Sequence, residues 1–446
     1  MRPSLNPSFL QPNLALHRAR REHVLQQMQT GVLILATAPE VTRNRDTHYP
    51  YRYDSHFHYL TAFPEPEAVL VLIAGAEPRQ ILFCREKNEA REIWDGFRYG
   101  PEATREIFHF DATYPYDKLD EELPKLLENQ AALHYAIGCD PRWDMRILGW
   151  LNAVRAKTRN GVSAPATLHD ARTLLDEMRL IKDAHELALM QHAADISANA
   201  HRAALLACQP GMGEWEIEAE LLYHLRKGGC QAPAYPAIVA GGANACVLHY
   251  VANDQTLSAG DLLLIDAAGE YHGYAADITR TFPVNGRFSG AQRDIYQLVL
   301  AAQLAAIATV KAGNTWNQPH DTAVRVLTQG MRDLKLLDGE LDGLIEQEAY
   351  KPFYMHKTGH WLGRDVHDVG EYKINHAWRP LQTGMTLTIE PGLYFRPAES
   401  LPKAFWNIGI RIEDDVAVTA AGCHVLTAAA PKTITAIEEV MAHATP

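Results

Sequence analysis

Four carboxylates and one imidazole stand at separate places in the C-terminal half of the chain. In chain order they are Asp266, Asp277, His360, Glu390 and Glu413. Carboxylate oxygens and a neutral imidazole nitrogen bind divalent cations, and four carboxylates balance the charge of two such ions. Burying unpaired acids is costly, so acids that end apolar strands beside a cleft are hard to explain as solvated surface. The set therefore predicts a two-metal site with room for a bridging water or hydroxide.

The ligand types also narrow the choice of metal. Bridging two ions about 3.5–4 Å apart requires carboxylates, because a neutral imidazole cannot bridge. Oxygen-rich ligation with one nitrogen suits hard to borderline ions. We expect manganese first, with zinc, cobalt or iron as alternatives.

Apolar segments with strand character carry these acids, and they are residues 262–266, 274–282, 385–390 and 408–418. Alternate residues of a strand share a face, so Arg411 and Glu413 are expected on one side of theirs, opposite Ile410 and Ile412. Helical patterns cover residues 183–207, 214–227, 291–311 and 322–337. Together these segments predict an α+β domain with antiparallel strands whose ligands face a cleft.

The first part of the chain has a different pattern. Short apolar runs at 32–35, 68–73, 81–83 and 133–137 are separated by charged segments with helical spacing such as 14–28. This alternation predicts an α/β domain. A segment rich in turn residues, 160–167, precedes the next long helix, so we expect domains at 1–172 and 173–446.

The whole composition limits the partners. The chain has 446 residues, 47% of them hydrophobic, and a net charge of -12. An acidic chain without a basic stripe or a basic amphipathic helix is expected to bind neither nucleic acid nor an anionic membrane. The six scattered cysteines include no Cys-x-x-Cys pair and are expected to be reduced and mostly buried. Without a long apolar segment, a cytoplasmic location is the default expectation.

Long motifs around the predicted ligands resemble the pita-bread metallopeptidases of the aminopeptidase P type. They include Gly-Asp-Leu-Leu-Leu-Ile-Asp, Asp-Ile-Thr-Arg-Thr-Phe-Pro-Val-Asn-Gly, His-Lys-Thr-Gly-His-Trp-Leu-Gly, Thr-Ile-Glu-Pro-Gly-Leu-Tyr and Gly-Ile-Arg-Ile-Glu-Asp-Asp. In the N-terminal half, Pro-Glu-Val-Thr-Arg, Tyr-Pro-Tyr-Arg and Glu-Ile-Trp resemble the non-catalytic domain of the same enzymes. The resemblance implies a C-terminal pita-bread catalytic domain that hydrolyses the bond between an N-terminal residue and a following proline.

The resemblance also implies roles within the metal site. Asp277 and Glu413 would bridge the two metals, Asp266 would complete one shell, and His360 and Glu390 would complete the other. A hydroxide bridging the metals would be the nucleophile. Glu390 would also act as general base.

Further residues receive roles by the same resemblance. His367 would stabilise the developing oxyanion, and His249 would position the substrate or handle a proton. The pocket for proline would be lined by His356, Tyr394 and Arg411. Trp94 would cap the pocket for the first residue across an oligomer interface, although it could equally close its own domain's core. A homodimer or homotetramer is implied.

One departure from the family pattern lies between two of these histidines. The family commonly has glycine and serine where this chain has Lys357 and Gly359, which affects expected specificity for substrate length or charge rather than the reaction class. Two alternatives stay open. A prolidase shares the metal shell but takes only Xaa-Pro dipeptides, and a binding protein or creatinase-like relative keeps the fold without the metals.

Overall fold

The computed structural model describes residues 13–443, and the chain divides into two compact units, Met1–Met178 and Arg179–Pro446. The domain limits expected from the sequence, 1–172 and 173–446, stay predictions. Each unit is described by itself below.

The first unit is built on a six-stranded mixed sheet. In spatial order its strands are Ala112–Pro115, Arg79–Cys84, Val69–Ala74, Gly31–Ala36, Ala132–Tyr135 and Thr167–Asp170. The third strand in this order pairs antiparallel with both neighbours, and the remaining pairs are parallel. The four apolar runs recognised in the sequence each overlap one of these strands, and the run at 133–137 extends two residues beyond the end of its strand.

Helices cover both faces of this sheet because its central strands are apolar on both sides. Leu33 and Leu35 pack in one core, whereas the alternate residues Val32 and Ile34 pack in the other. The helices are Leu14–Met28, Ser55–Thr61, Glu89–Asp95, Gly100–Phe108, Leu119–Leu127, Pro141–Arg155 and Arg172–Leu180, with a small hairpin at Thr42–Asn44 and Thr47–His48. The α/β expectation is confirmed.

The second unit has helices at Ala184–Ala207, Glu214–Gly228, Gly290–Ala308, Gln318–Asp333, Leu341–Glu346 and Ile434–Ala442. The first of these begins at a capping box: the Asp183 carboxylate accepts from the Glu186 N–H, and the Glu186 carboxylate accepts from the Asp183 N–H. The helix expected at 322–337 instead starts at Gln318, because Pro319 suits the first turn of a helix.

The strands of the second unit pair only antiparallel within the described residues, as expected. They form small sheets rather than one large one. The strands are Ala232–Pro233, Ile238–Gly241, Leu262–Asp266, Gly269–Tyr271, Tyr274–Ala275, Thr279–Pro283, Lys373–Ile374, Ala377–Trp378, Thr386–Ile389, Gly392–Phe395, Ile408–Arg411, Asp414–Val418 and Cys423–Val425.

Two strands predicted as continuous are each broken into two, so the expectation of residues 274–282 and 408–418 as single strands is wrong. The breaks fall at Asp277 and Glu413. The N–H of Asp277 donates to the Asp415 carboxylate at 2.9 Å, and that of Glu413 donates to the Thr279 carbonyl at 3.1 Å. Because these amides bond outside their own ladders, each strand ends and a new one starts in a different sheet.

No helix between residues 13 and 443 is long and apolar enough to cross a bilayer. All six cysteines are unpaired, and Cys84, Cys208, Cys230 and Cys246 are buried. The expectation of free and mostly buried thiols is confirmed.

Candidate metal centre and substrate pocket

A cavity of about 490 Å³ lies in the second unit, and most of the predicted site residues line it. They are Asp266, Asp277, His360, Glu390, Glu413, His249, His356, His367 and Arg411. The fold thus collects on one surface residues that are separated by up to 164 positions in the sequence, from 249 to 413.

The ends and breaks of strands position the acids. Asp266 is the last residue of its strand, Glu390 follows Thr386–Ile389 directly, and Asp277 and Glu413 occupy the two breaks. A residue at such a position is freed from the alternation of the strand while the strand itself stays anchored in the core. The apolar strands therefore fix the backbone from which each carboxylate reaches the cavity.

The side chains of three of these residues converge closely. One ligand atom each from Asp277, His360 and Glu413 lies within 4.8 Å of the other two. Nε2 of His360 is 3.4 Å from Oδ2 of Asp277 and 3.7 Å from Oε1 of Glu390. Its Nδ1 is 2.9 Å from the carbonyl of Trp361, which orients the ring so that Nε2 faces the carboxylates.

The carboxylates have strongly perturbed proton affinities. Burial and then the charge of Asp266 raise the pKa of Asp277, while burial and the charges of Asp277 and Glu390 raise the pKa of Glu413 well above its usual value. Burial also raises the pKa of Glu390 to about 7. Burial alone would lower the pKa of His360, but its contact with Asp277 and the charge of Glu390 raise it to about 9.

These shifts test whether the residues fit metal ions. Several acids lie buried side by side with fewer protein cations than are needed to balance them, so each resists ionisation. Divalent cations would supply the missing positive charge, and the oxygen-rich donor set with one nitrogen matches hard to borderline ions. The residues therefore fit a divalent metal site.

The predicted proline-pocket residues form one hydrogen-bonded group. The Tyr394 hydroxyl lies 2.8 Å from Nε2 of His356 and accepts from Nη1 of Arg411 at 3.0 Å. Nη2 of Arg411 donates to Oδ2 of Asp266 at 2.7 Å. Tyr394 is only 1% exposed, so it supports His356 and Arg411 from behind and does not line the cavity itself.

The two histidines predicted to act on the substrate both line the cavity. The rings of His367 and His360 meet edge to face, with their centroids 4.3 Å apart. Burial and the neighbouring His360 lower the pKa of His367, which favours a neutral ring. His249 contributes to the same wall as Leu248 and Val251.

Trp94 is not among the residues that line this cavity. It belongs to the helix Glu89–Asp95 of the first unit and is 83% exposed. The alternative in which Trp94 closes its own domain's core is therefore wrong. Its role at an oligomer interface stays a prediction.

Two residues that the sequence did not single out contact the predicted ligands. The Tyr235 hydroxyl lies 2.6 Å from Oδ1 of Asp266 and 2.5 Å from Oδ1 of Asp277. The Thr279 hydroxyl donates to Oε2 of Glu413 at 2.6 Å and accepts from Nε of Arg411 at 3.1 Å. Thr279 could have been found from its place two residues after Asp277, whereas the loop position of Tyr235 gives no such signal.

This fold and this group of acids define a metal-dependent peptidase. Residues 188–420 match Metallopeptidase family M24, and residues 17–135 match Aminopeptidase P, N-terminal domain. The chain belongs to metallopeptidase family M24. Its two-domain arrangement of an α/β unit followed by a pita-bread unit is the one found in aminopeptidase P.

Close relatives agree with this assignment. The chain is 42% identical to the Xaa-Pro aminopeptidase of Escherichia coli strain K12, over 95% of this chain and 96% of that protein. It is 43% identical to the Xaa-Pro aminopeptidase of Haemophilus influenzae, with the same coverage. The solved structure of a Pseudomonas aeruginosa aminopeptidase covers 98% of this chain and 99% of its own, at 48% identity and a TM-score of 0.97. A structure of Escherichia coli aminopeptidase P in complex with substrate has 40% identity and a TM-score of 0.95, covering 98% and 99% of the two chains.

Proposed function

We infer that this protein is a metal-dependent exopeptidase that hydrolyses the bond between an N-terminal residue and a following proline. The observation that carries this inference is a peptide-sized cavity lined by buried, mutually repelling carboxylates and four histidines, in a chain whose relatives over nearly its whole length are Xaa-Pro aminopeptidases. The prolidase alternative is not favoured by these relatives, and membership of a metallopeptidase family argues against a binding protein without metals.

We further propose that Asp266, Asp277, His360, Glu390 and Glu413 hold two divalent ions. Manganese is the first choice and zinc, cobalt or iron are the alternatives. Bound metal ions supply electrophilic polarisation of the carbonyl and a water that ionises near neutral pH. The convergence of Asp277, His360 and Glu413 supports this assignment.

The remaining residues of the cavity would serve the substrate. Glu390 would accept a proton from the attacking water and pass it to the leaving proline nitrogen. His367 would donate a hydrogen bond to the oxyanion of the tetrahedral intermediate, and His249 would orient the peptide or handle a proton. Both histidines line the same cavity as Glu390, which supports these roles.

Recognition of proline would depend on shape. The proline nitrogen of a peptide has no N–H to offer, so the pocket must contact an apolar ring. The face of His356 would supply that contact while Tyr394 and Arg411 hold His356 in place. The pocket would therefore select proline by packing against its ring and not by a hydrogen bond.

We also propose a cytoplasmic location. The protein would assemble as a homodimer or homotetramer, with Trp94 close to the substrate of a neighbouring subunit. The 83% exposure of Trp94 supports such a contact. Sedimentation analysis of the protein and of Trp94→Ala tests it, since loss of a contact made by Trp94 should weaken assembly.

Mass spectrometry of cleavage products tests the function. Manganese-loaded protein is incubated separately with an Xaa-Pro-Yaa tripeptide, an Xaa-Ala-Yaa tripeptide and an Xaa-Pro dipeptide. We expect release of the first residue from the proline tripeptide far faster than from the other two. Cleavage confined to the dipeptide would establish a prolidase instead. Failure to cleave any peptide with each of the four metals would contradict the proposed activity.

A further inference from the structure

A second cavity, of about 540 Å³, adjoins the one that holds the predicted metal ligands. No step of the proposed reaction uses it. The residues that give it chemical character are Trp316, His320, Lys357, Tyr372, Lys373 and Trp378. It therefore combines aromatic rings with two lysines.

The two cavities share a wall. Lys357 and Gly359 line both of them. The wall is a single segment of the chain, held by a hydrogen bond from the Glu390 N–H to the Thr358 carbonyl at 2.7 Å and by another from the Thr388 N–H to the His360 carbonyl at 3.0 Å. A peptide that leaves the first cavity past Lys357 therefore meets the second one next.

Glycine permits this thin wall. A Cβ atom at Gly359 would lie 2.0 Å from the Thr388 carbonyl oxygen, well inside van der Waals contact. The segment can therefore approach the strand Thr386–Ile389 more closely than a residue with a side chain would allow. The departure from the family pattern at Gly359 thus has a structural reason in this chain.

The aromatic part of the cavity is rigid. The Trp316 ring lies 4.0 Å from the Trp361 ring and 4.7 Å from the Tyr372 ring, measured between centroids. Trp361 is fully buried, so this stack is anchored in the core. A preformed aromatic surface binds an apolar side chain at little cost in conformational entropy.

The charged part of the cavity is positive. Nζ of Lys373 lies 4.3 Å from the centroid of the Trp378 ring. Lys357 and Lys373 are both exposed, and neither forms an ion pair with a carboxylate in the described part of the chain. A ligand with an apolar group and a carboxylate would satisfy both parts at once.

We propose that the second cavity binds the C-terminal end of the peptide substrate, two or three residues beyond proline. An apolar side chain there packs on Trp316, Tyr372 and Trp378, and the terminal carboxylate pairs with Lys357 and Lys373. Three extended residues span about 10 Å, which suits a site that shares a wall with the first cavity. The proposal rests on the proposed function, because it extends the substrate of that site.

Matched peptides test the carboxylate contact. Ala-Pro-Ala-Leu and Ala-Pro-Ala-Ala-Leu are prepared as free acids and as C-terminal amides, and kcat/KM is measured for each. We expect at least one free acid to be hydrolysed about fivefold faster than its amide, which corresponds to a partly exposed ion pair. Lys357→Gln and Lys373→Gln should each bring the ratio of acid to amide close to one.

A control and a second variant separate the two contacts. Lys335→Gln removes a lysine near the C-terminal end of the helix Gln318–Asp333, whereas the cavity lies at its N-terminal end, so the ratio of acid to amide should not change. Trp378→Ala should reduce the preference for leucine over glycine at the last position while a preference for the free acid persists.

The outcomes are distinguishable. Equal hydrolysis of acids and amides by the unmodified protein would overturn the proposal, and so would an unchanged ratio in both lysine variants. In either case cleavage after the first residue would still stand. Absence of cleavage of every Xaa-Pro peptide by the unmodified protein would instead overturn the proposed function, and with it this extension.

Discussion

Glu413 and Asp414 are neighbours in the chain, and both are almost completely buried, yet their environments are opposite. Burial and the charges of Asp277 and Glu390 raise the pKa of Glu413 well above its usual value. Burial would also raise that of Asp414, but the charges of Arg280 and Lys432 outweigh it and hold the pKa below 3.8. Nη2 of Arg280 lies 2.7 Å and Nζ of Lys432 lies 2.5 Å from the Asp414 carboxylate.

The difference distinguishes structural acids from candidate ligands. Asp414 receives its balancing charge from the protein, so its ionised form stabilises the fold. Glu413 and the acids beside it have too few positively charged protein groups nearby to balance their negative charge, so bound metal cations would have to supply the rest. Burial alone therefore does not mark a functional acid, whereas burial without enough cationic partners does.

The same contrast recurs at Asp368. Its carboxylate contacts both Arg179 and Lys182, and their charges outweigh burial to lower its pKa. The adjacent residue, His367, lines the substrate cavity. At two places in the chain, Glu413–Asp414 and His367–Asp368, a candidate functional residue thus directly precedes a structural one.

Replacing the acid that lacks cations should have the largest effect. We expect Glu413→Gln to lower kcat/KM by at least about 10⁴-fold, because weaker metal binding leaves a water that ionises only at high pH. The fold should persist, since a neutral amide replaces a group that resists ionisation. Metal content by mass spectrometry and far-UV circular dichroism would check both points. Near-normal turnover would remove Glu413 from the metal site, and Asp277→Asn provides the same test at the second break.

Replacing its neighbour should affect stability instead. Asp414→Asn leaves Arg280 and Lys432 without their carboxylate, and breaking such a buried pair costs about 3–5 kcal/mol. Denaturant unfolding of metal-loaded protein would measure the loss, while metal content should match that of the unmodified protein below the transition. Loss of metal without loss of stability would invert the comparison.

The contact from Tyr235 should have an intermediate effect. Tyr235→Phe removes the hydroxyl that lies beside both Asp266 and Asp277. Loss of an outer contact of this kind lowers metal affinity about 10–100-fold. Metal titration by calorimetry would show the change, with Tyr223→Phe as the control because Tyr223 is 56% exposed. Equal affinities for the two variants would contradict a positioning role for Tyr235.

The carboxyl of Glu390 should give a pH dependence of stability in chelator-treated protein. The pKa of Glu390 rises from 4.5 to about 7 in the folded state, so this state binds more protons than the unfolded state between these values. The contribution of Glu390 to stability is therefore present below pH 4.5 and is lost as the pH rises through 7, at up to about 1.4 kcal/mol per pH unit.

A difference measurement removes the titration of groups whose pKa does not depend on Glu390, and leaves the contribution of Glu390 together with that of its neighbour His360. Burial lowers the pKa of His201 to about 4, which makes stability rise with pH over part of the same range. Denaturant unfolding of the unmodified protein and of Glu390→Gln at several pH values, with chelator present, removes this background by subtraction. The two should diverge as the pH rises, with Glu390→Gln the more stable at pH 7.5. Parallel curves would contradict the perturbed carboxyl.

The sequence predicted the elements better than it predicted their ends. Apolar runs and capping residues located the core strand that contains Leu33 and the helix that starts after Asp183, because hydrophobic burial and helix capping are local signals. It missed the breaks at Asp277 and Glu413, since those depend on hydrogen bonds to Asp415 and Thr279, far away in the chain. Local pattern cannot reveal a distant acceptor.

The candidate site shows the same limit. The ligand types were evident from motifs, and so was the group of His356, Tyr394 and Arg411. The motifs did not reveal that Tyr394 lies behind the cavity surface or that Tyr235 touches two acids. Such contacts depend on the packing of loops, which follows from the whole fold rather than from any one segment.

A continuous series of hydrogen bonds runs from His356 through Tyr394 and Arg411 to Asp266. It connects the proposed proline pocket to the proposed metal site. His356, which is proposed to contact the proline ring, is therefore connected to Asp266, a proposed metal ligand. A peptide whose second residue fits the pocket badly would shift His356 and, through these hydrogen bonds, Asp266, even while the peptide stays bound. A peptide without proline at the second position would then have a lower kcat more than a higher KM. Selectivity for proline would therefore persist at saturating substrate concentrations.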